Sequence, residues 1–437
     1  MMKYMMFLLL LLLLFKNYWF IQFMVMMMMM MMIYSVKMNM YYELVGYSMS
    51  LDLLSMLLIL LLLWIFSLMF MASKMIYEEK IFVIYFLKGN LVLLLFLLLT
   101  FSYLNIFYFY LLFESSMIIM LLLVMGFGSQ YERMSASFYM LFYTLVTSLP
   151  LLLMIFYYLE NYNMLMMNWW VNSNLYKYMV IFLMLSFLVK MPMYMLHYWL
   201  PKAHVEASVF GSMLLAGILL KLGGYGLIRI GKLLFLNYKI LYQYMIIYGL
   251  LSSLLMSIIC LCQIDMKVMI ALSSVVHMNF MMSGYFTYFS LGIMGCFIIM
   301  ISHGLCSSGL FCLVGIIYDR VKSRSLVLLK GVMNLVPVMA FLWFLLCISN
   351  MSAPPSLNLL GEIMLMNSIL SWLFFMFMIM MLYFIISVIF SIYLFSIIQM
   401  GKVTYLLMKL DIYLQEFLLL VMHLLPLNMM IMLSFYY

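Results

Sequence analysis

Charge is what this sequence has least of. Only 8% of its 437 residues are Asp, Glu, Lys or Arg, while 70% are hydrophobic; a soluble domain carries about 25% charged residues. That excludes a water-soluble fold, and with it the secreted, nuclear and cytosolic classes. Basic clusters with interleaved aromatics are missing too, so the net charge of +8 does not point to nucleic acid. The six cysteines, Cys260, Cys262, Cys296, Cys306, Cys312 and Cys347, form no CxxC and no paired spacing, and they read as small core residues, with metal or redox chemistry as the alternative. The five histidines are too dispersed for a convincing metal site, and no haem, iron–sulfur, phosphate-loop or dinucleotide fingerprint occurs. No Arg- and Ser-rich transit peptide is found.

What is present is a succession of apolar stretches separated by short turns with charge, Gly, Pro or Asn. At roughly 20 residues per membrane-spanning helix the chain accommodates about a dozen or more spans, which predicts an all-α polytopic membrane protein. The first stretch, Lys3 followed by residues 5–15, lacks a small-residue cleavage site and is expected to be a retained anchor. The longest polar interruption, residues 161–177 with Trp169 and Trp170, reads as an interfacial loop. Prolines interrupt two stretches, Pro192 with Pro201 and Pro354 with Pro355. Broken backbone at membrane depth must be buried in protein or line a cavity, and paired breaks are typical of transporter repeats; ordinary kinks are the plainer reading. If 327–347 and 354–373 are halves of one broken helix, about fourteen spans remain. Twelve Lys and Arg then fall on one side of the membrane and six on the other, with Lys88, Lys190 and Lys221 inside spans, which places both termini away from the matrix-like side.

Four ionisable groups lie far from any span end: Glu114 in FYLLFESSMIIM, Lys190 just before Pro192, Lys221 in GILLKLGG and Glu362 in LNLLGEIML. Each costs about 2.5–3.5 kcal/mol on insertion scales, so each is a functional candidate by default. Structural ion pairs, or lysines reaching to the interface, are the alternative; for Lys88, nearer a span end, snorkelling is favoured. Alternating buried carboxylates and amines suit proton translocation, because moving a partner switches whether the amine holds its proton. His277 in SSVVHMNF and His303 in ISHGLCSSGLF extend such a path through imidazole, or are hydrogen-bonded core histidines. His197, His204 and His423 lie nearer span ends or turns and read as structural.

The block LVKMPMYMLHYWLPKAHVEASV (188–209) and GILLKLGGYGLIRI (217–230) closely resembles the chain 4 family of mitochondrial NADH:ubiquinone oxidoreductase, respiratory complex I. Supporting matches are GSQYERMSASFYMLFYTLVTSLPLL (128–152), QIDMKVMIALSSVVHM (263–278), SHGLCSSGLFCL (302–313) and PPSLNLLGE (354–362). Ser208 stands where the family usually has proline. The 58 methionines, with runs such as 26–32, are similar to mitochondrially encoded chains, whose code reads an extra codon as Met.

The resemblance implies an antiporter-like fold of fourteen transmembrane helices with two inverted five-helix repeats, each holding a broken helix. Mapped onto this chain it implies N-terminal helices over 1–100, a first repeat over 101–230 with its break near Pro192, a second over 240–398 with its break near Pro354, and a C-terminal helix over 399–437. It implies a proton relay through Glu114, Lys190, Lys221, His277, His303 and Glu362, with Glu362 where relatives chains 2 and 5 carry lysine. No cofactor is expected in this chain, since NAD, FMN, iron–sulfur clusters and ubiquinone belong to other subunits. The implied partners are the membrane-arm subunits, especially chains 2 and 5, and lipid; the implied location is the mitochondrial inner membrane with both termini on the intermembrane-space side. A free-standing cation/proton antiporter of the same fold is the alternative, and a scaffold with relict buried charges a third reading.

Overall fold

The computed structural model describes residues 2–14, 17–35, 43–46, 49–80, 82–162, 177–234, 239–402 and 412–434. The interfacial loop expected at 161–177 lies almost wholly outside them, as do Lys16, Lys37 and Lys409. In chain order come helices α1 (Met2–Leu14) and α2 (Tyr18–Ser35), strands β1 (Glu43–Gly46) and β2 (Met49–Leu51), then α3 (Leu53–Ala72), α4 (Lys74–Glu78), α5 (Val83–Ser102), α6 (Ile106–Phe127), α7 (Arg133–Tyr162) and α8 (Lys177–Lys190). After an unwound segment follow α9 (Trp199–Glu206), α10 (Val209–Leu214), a π-helical turn over Leu215–Leu219 and α11 (Leu220–Leu234). The chain continues with α12 (Lys239–Leu261), α13 (Met266–Tyr285), α14 (Ser290–Val321), α15 (Val332–Leu335), α16 (Pro337–Asn350), α17 (Leu357–Trp372), α18 (Phe377–Gln399) and α19 (Leu414–Ser434).

Among the described residues ten helices are long and apolar enough to cross a membrane, and Met2–Leu13, Tyr18–Tyr34, Met179–Lys190 and Pro337–Asn350 are shorter apolar helices. The all-α membrane class follows from the sequence's physics: hydrocarbon offers no hydrogen bonds, so each apolar run must satisfy its own backbone as helix. Buried hydroxyls obey the same rule, Ser302 donating to the Ile299 carbonyl and Ser307 to that of His303. The β1–β2 hairpin, antiparallel from Glu43 opposite Leu51, was not expected from the apolar pattern.

The chain divides into two compact units. The first comprises Met1–Lys190, Glu206–Leu214 and Tyr225–Asn237, and the second Met191–Val205, Leu215–Gly224 and Tyr238–Tyr437. In the first, α5 packs on α6, α6 on α7, α7 on α8 and α2 on α3. Asp52 caps α3 in a capping box with Ser55, and it also accepts two 2.6 Å hydrogen bonds from the Arg229 guanidinium. Arg229, one of the six basic residues counted above on the less basic side, is a half-buried fork in a bidentate pair. Burial alone would push the Asp52 carboxyl up, but the Arg229 donors and charge, with Ser55, outweigh it and hold it below the ordinary 3.8. A lowered folded-state value means stability that is present above the unfolded value and lost as pH falls through the folded one, so this contribution fades only below 3.8. Asp52→Asn leaves the half-buried Arg229 charge without its partner and is expected to cost about 2 kcal/mol, below the range for breaking a fully buried pair; the thermal inactivation midpoint of the assembled protein at neutral pH measures it.

In the second unit α13 and α14 form the centre. Over one 18-residue apolar stretch of each, 94% of residues are buried, against 28% for α19, which presents Leu414, Leu418, Val421 and Leu425 outward. Gly284 admits the Leu365 side chain of α17, where a Cβ would lie only 2.3 Å from Cδ2, and Gly361 likewise admits Ile299 of α14. Small residues at such crossings let helices approach where lipid supplies no hydrophobic drive. Lys267, one of the twelve basic residues counted above on the more basic side, is buried in the first turn of α13 and donates to the Val205 carbonyl at 3.4 Å.

Both proline sites break their helices. α8 stops at Lys190 because Pro192 has no N–H to donate and disfavours helical backbone in the residue before it. The chain then runs unwound, with Met195 at φ +72°, until α9, whose third residue Pro201 needs no donor in the first turn. α16 ends at Asn350, Ser352 takes φ +57°, and α17 begins at Leu357 just beyond Pro354 and Pro355. The two broken helices thus leave Lys190 at one helix end and Glu362 in the second turn after the other break.

Candidate functional site: two sets of buried ionisable groups

The first unit holds Glu114 and Lys190. α6 carries Glu114 at mid-helix, and α8 delivers Lys190 as its last residue. The amine lies 3.6 Å from Glu114 Oε1, donates to the Phe113 carbonyl at 3.2 Å, and sits 2.7 Å from the centre of the Phe113 ring. The Lys190 side chain is 2% exposed and that of Glu114 13%. Three physical effects hold the cation here: the carboxylate, the negative end of the α8 dipole and the face of the phenyl ring. At 3.6 Å the carboxylate acts as a charge partner rather than a hydrogen-bond partner. The contact is therefore tunable: closing it by a few tenths of an ångström strengthens the hold on the proton, and opening it weakens the hold.

The second unit holds a row of four groups. The π-helical turn at Leu215–Leu219 widens the helix immediately before Lys221, and the Lys221 amine folds back to donate to the Ala216 carbonyl. The same amine lies 3.1 Å from Nδ1 of His303. With the amine as donor, the neutral imidazole carries its proton on Nε2. His303 on α14 and His277 on α13 have ring centres 5.5 Å apart. His277 Nδ1 then lies 3.4 Å from Glu362 Oε1 and 3.5 Å from the Tyr383 hydroxyl. The far Glu362 oxygen accepts from Ser352, on the unwound segment between α16 and α17. All four ionisable groups are buried, Lys221 completely.

This arrangement suits proton movement and not covalent chemistry. Each neighbour along the row is a donor, an acceptor or both, and His277 Nδ1 has two competing partners: protonated it donates to Glu362, and deprotonated it accepts from Tyr383. The 5.5 Å between the imidazole centres is short enough for ring rotation or a bridging water to span. Glu362 stands beyond the first turn of α17, where a helix dipole does little, and its local polar partners are the Ser352 hydroxyl and His277. Ser352 and Tyr383 were not singled out from the sequence; a hydroxyl two residues before a diproline, and one of two tyrosines in α18, carry no distinctive pattern there.

The remaining sequence candidates fall elsewhere. His204 is buried with its ring stacked on Phe311 at 4.4 Å, His197 stacks on Tyr198, and His423 Nδ1 contacts the Leu419 carbonyl. Lys88 is exposed, as are Cys262 and the start of α5 at Tyr85. Five of the six cysteines are buried and none is in a disulfide. Arg320 Nη2 donates to both Glu416 oxygens, at 2.8 and 2.6 Å, and ties α14 to α19.

Buried lysine, histidine and glutamate side chains beside interrupted membrane helices define an antiporter-like membrane protein, and the backbone agrees: respiratory complex I from Thermus thermophilus with bound NADH contains a chain that superposes with a TM-score of 0.86 over 99% of this chain and 95% of that one, at 21% identity. Residues 104–391 match the family NADH:quinone oxidoreductase/Mrp antiporter, TM, and residues 1–100 match NADH-ubiquinone oxidoreductase chain 4, amino terminus. The chain is 48% identical to NADH-ubiquinone oxidoreductase chain 4 of Aedes aegypti over 73% of its length and 72% of that protein, and 46% identical to that of Ceratitis capitata over 73% and 72%. The chain belongs to the NADH-ubiquinone oxidoreductase chain 4 family.

Proposed function

We propose that this chain is a membrane-arm subunit of respiratory complex I that carries protons across the mitochondrial inner membrane, driven by electron transfer from NADH to ubiquinone in other subunits. The observation that carries this reading is the row Lys221, His303, His277, Glu362, whose members are donors and acceptors spaced by hydrogen-bonding contacts except for the gap between the two imidazoles, and which ends beside an interrupted helix. Glu114 sets how firmly Lys190 holds its proton, Lys221 and the two histidines pass protons on, and Glu362 is the terminal acceptor. Moving one charge against roughly 150–180 mV costs about 3.5–4 kcal/mol. Each unit of pKa change along such a row is worth about 1.4 kcal/mol, so a few coupled switches meet the demand.

The reading extends to organisation. Taking each interrupted helix as one span gives fourteen, arranged as the two repeats over 101–230 and 240–398 between the segments 1–100 and 399–437. Both termini face the intermembrane space, chains 2 and 5 and lipid are the neighbours, and this chain holds no redox centre of its own. The name shared by the chain's relatives favours the subunit over the free-standing antiporter. Native electrophoresis of mildly solubilised inner membranes, with in-gel staining for NADH dehydrogenase and mass spectrometry of the bands, separates the two. Co-migration with the large active band is expected; recovery only as a small separate species would contradict the assignment.

A further inference from the structure

In the first unit, the Phe113 ring that faces Lys190 belongs to a packed row of aromatic side chains. Phe109 lies one turn before it on α6 with ring centres 5.5 Å apart, and Phe187, one turn before Lys190 on α8, packs on it at 5.7 Å. The row continues from Phe109 to Tyr225 of α11 at 5.9 Å. Tyr225 is itself held at both ends: its hydroxyl donates to the Phe101 carbonyl at 3.0 Å, and its ring lies 4.8 Å from the Arg229 guanidinium. Gly226, next along α11, makes room for Phe187, because a Cβ there would overlap the ring. Phe109, Phe113 and Phe187 are all fully buried. Packing of this kind leaves the Phe113 ring little freedom to turn, so its face stays toward Lys190.

What the ring does follows from the number of donors beside it. A lysine ammonium has three N–H groups. The Phe113 carbonyl accepts at 3.2 Å, the Glu114 carboxylate stands at 3.6 Å, and the ring centre lies 2.7 Å from the amine. A third oxygen at hydrogen-bonding distance would fix the amine with one more directional bond. A ring face attracts the cation through its quadrupole and selects no particular N–H. The amine can therefore shift toward the carboxylate or away from it while it keeps a partner on its third side. Ring, carbonyl and carboxylate come from two adjacent residues of α6, so any sliding of α6 against α8 moves all three together.

We propose that Phe113 is a positioning residue for proton transfer: its ring is the bearing on which the Lys190 amine moves between a place where Glu114 holds its proton firmly and one where it holds it loosely. The ring acts through Lys190 and carries no proton itself. The inference rests on the relay reading above. Phe109 and Phe187 serve it by holding the ring in place.

The test compares variants of the assembled complex in sealed inner-membrane vesicles, with native gels to give turnover per assembled complex. Phe113→Leu and Phe113→Met, which fill much of the space without a π face, are expected to lower pumping-coupled NADH:ubiquinone turnover about tenfold, while Phe113→Tyr, which keeps the ring, stays within about twofold. Phe101→Leu is the packing control, the same truncation at a buried ring separated from Phe113 by Tyr225 and Phe109, and it too is expected to stay within about twofold. In a Lys190→Met background, Phe113→Leu should lower the remaining turnover by less than about twofold, since a residue that acts through the amine then has nothing to act on. Full turnover in both ringless variants, an equal loss in Phe101→Leu, or a further loss of about tenfold on top of Lys190→Met overturns the assignment. If the ringless variants do not assemble, a density map of the unaltered complex decides: an amine over the Phe113 ring supports the bearing, and an amine turned away from it overturns it. If Lys190→Met itself pumps normally, the relay reading fails; if Lys190→Met is slow and the ringless variants are not, only the role of Phe113 does.

Discussion

Replacing Lys190 by Met, or Glu114 by Gln, is expected to cut pumping-coupled NADH:ubiquinone turnover by about tenfold or more, a modest loss beside the 10²–10⁴ that positioned proton-transfer groups supply. The two variants act on the same contact from opposite sides. Lys190→Met removes the titrating amine from beneath the Phe113 ring but keeps an apolar side chain of similar length at the end of α8. Glu114→Gln keeps the shape and removes the charge 3.6 Å away. Assembly should survive in both, because the group left without its partner can become neutral: Met leaves a 13% exposed carboxylate that can take up a proton, and Gln leaves an amine that can give one up and stays bonded to the Phe113 carbonyl. Their effects should not add, since the amine and carboxylate work as one unit. Turnover in sealed vesicles, with native gels to report the amount of assembled complex, measures this; two fully active variants would remove the pair from the relay.

Glu362 is expected to be as sensitive, with a sharper chemical signature. Glu362→Gln should reduce coupled turnover by about tenfold or more, because a neutral amide beside His277 can hold no translocated proton. Glu362→Asp, which keeps the carboxylate but draws it back from both His277 Nδ1 and the Ser352 hydroxyl, should recover part of the loss. Glu362→Lys should be the most severe: it sets a cation against His277 in a segment where like charges cannot be screened by water. The order Glu, then Asp, then Gln, then Lys distinguishes a proton acceptor from a mere packing position, for which Gln would rank ahead of Asp.

The parts of this account that the sequence exposes are those whose physical cost is visible in one dimension. A membrane span is a run of apolar residues, so α3, α5, α6, α12 and α18 stand out directly. A proline inside such a run must interrupt the hydrogen-bond ladder, so the breaks at Pro192 and Pro354 are legible, and so is the burial of Lys190, Lys221, Glu114 and Glu362, whose insertion cost demands a compensating reason. The role of each group, by contrast, came from the resemblance.

What the sequence hid depends on contacts distant along the chain or on backbone. Arg229 reads as one more basic residue on one side of the membrane until Asp52, 177 residues away, is seen to hold it with two hydrogen bonds. The Ala216 carbonyl becomes a partner for Lys221 beside a π-helical turn, and LAGIL has no composition that announces one. Ser352 and Tyr383 are ordinary residues whose importance lies only in what they face. The strands Glu43–Gly46 and Met49–Leu51 are too short to stand out beside the long apolar runs.

The central claim is that the buried row conducts the translocated proton, and the most direct measurement is the number of protons moved per NADH oxidised by the assembled complex in sealed vesicles carrying Lys221→Met, alongside the rate. Lys221 is the group that joins the row through His303, and Met fills its space without a titrating atom. The account predicts either a complex stalled to a small fraction of its rate or one that oxidises NADH with fewer protons moved per electron pair. An unchanged rate together with an unchanged proton count would contradict it.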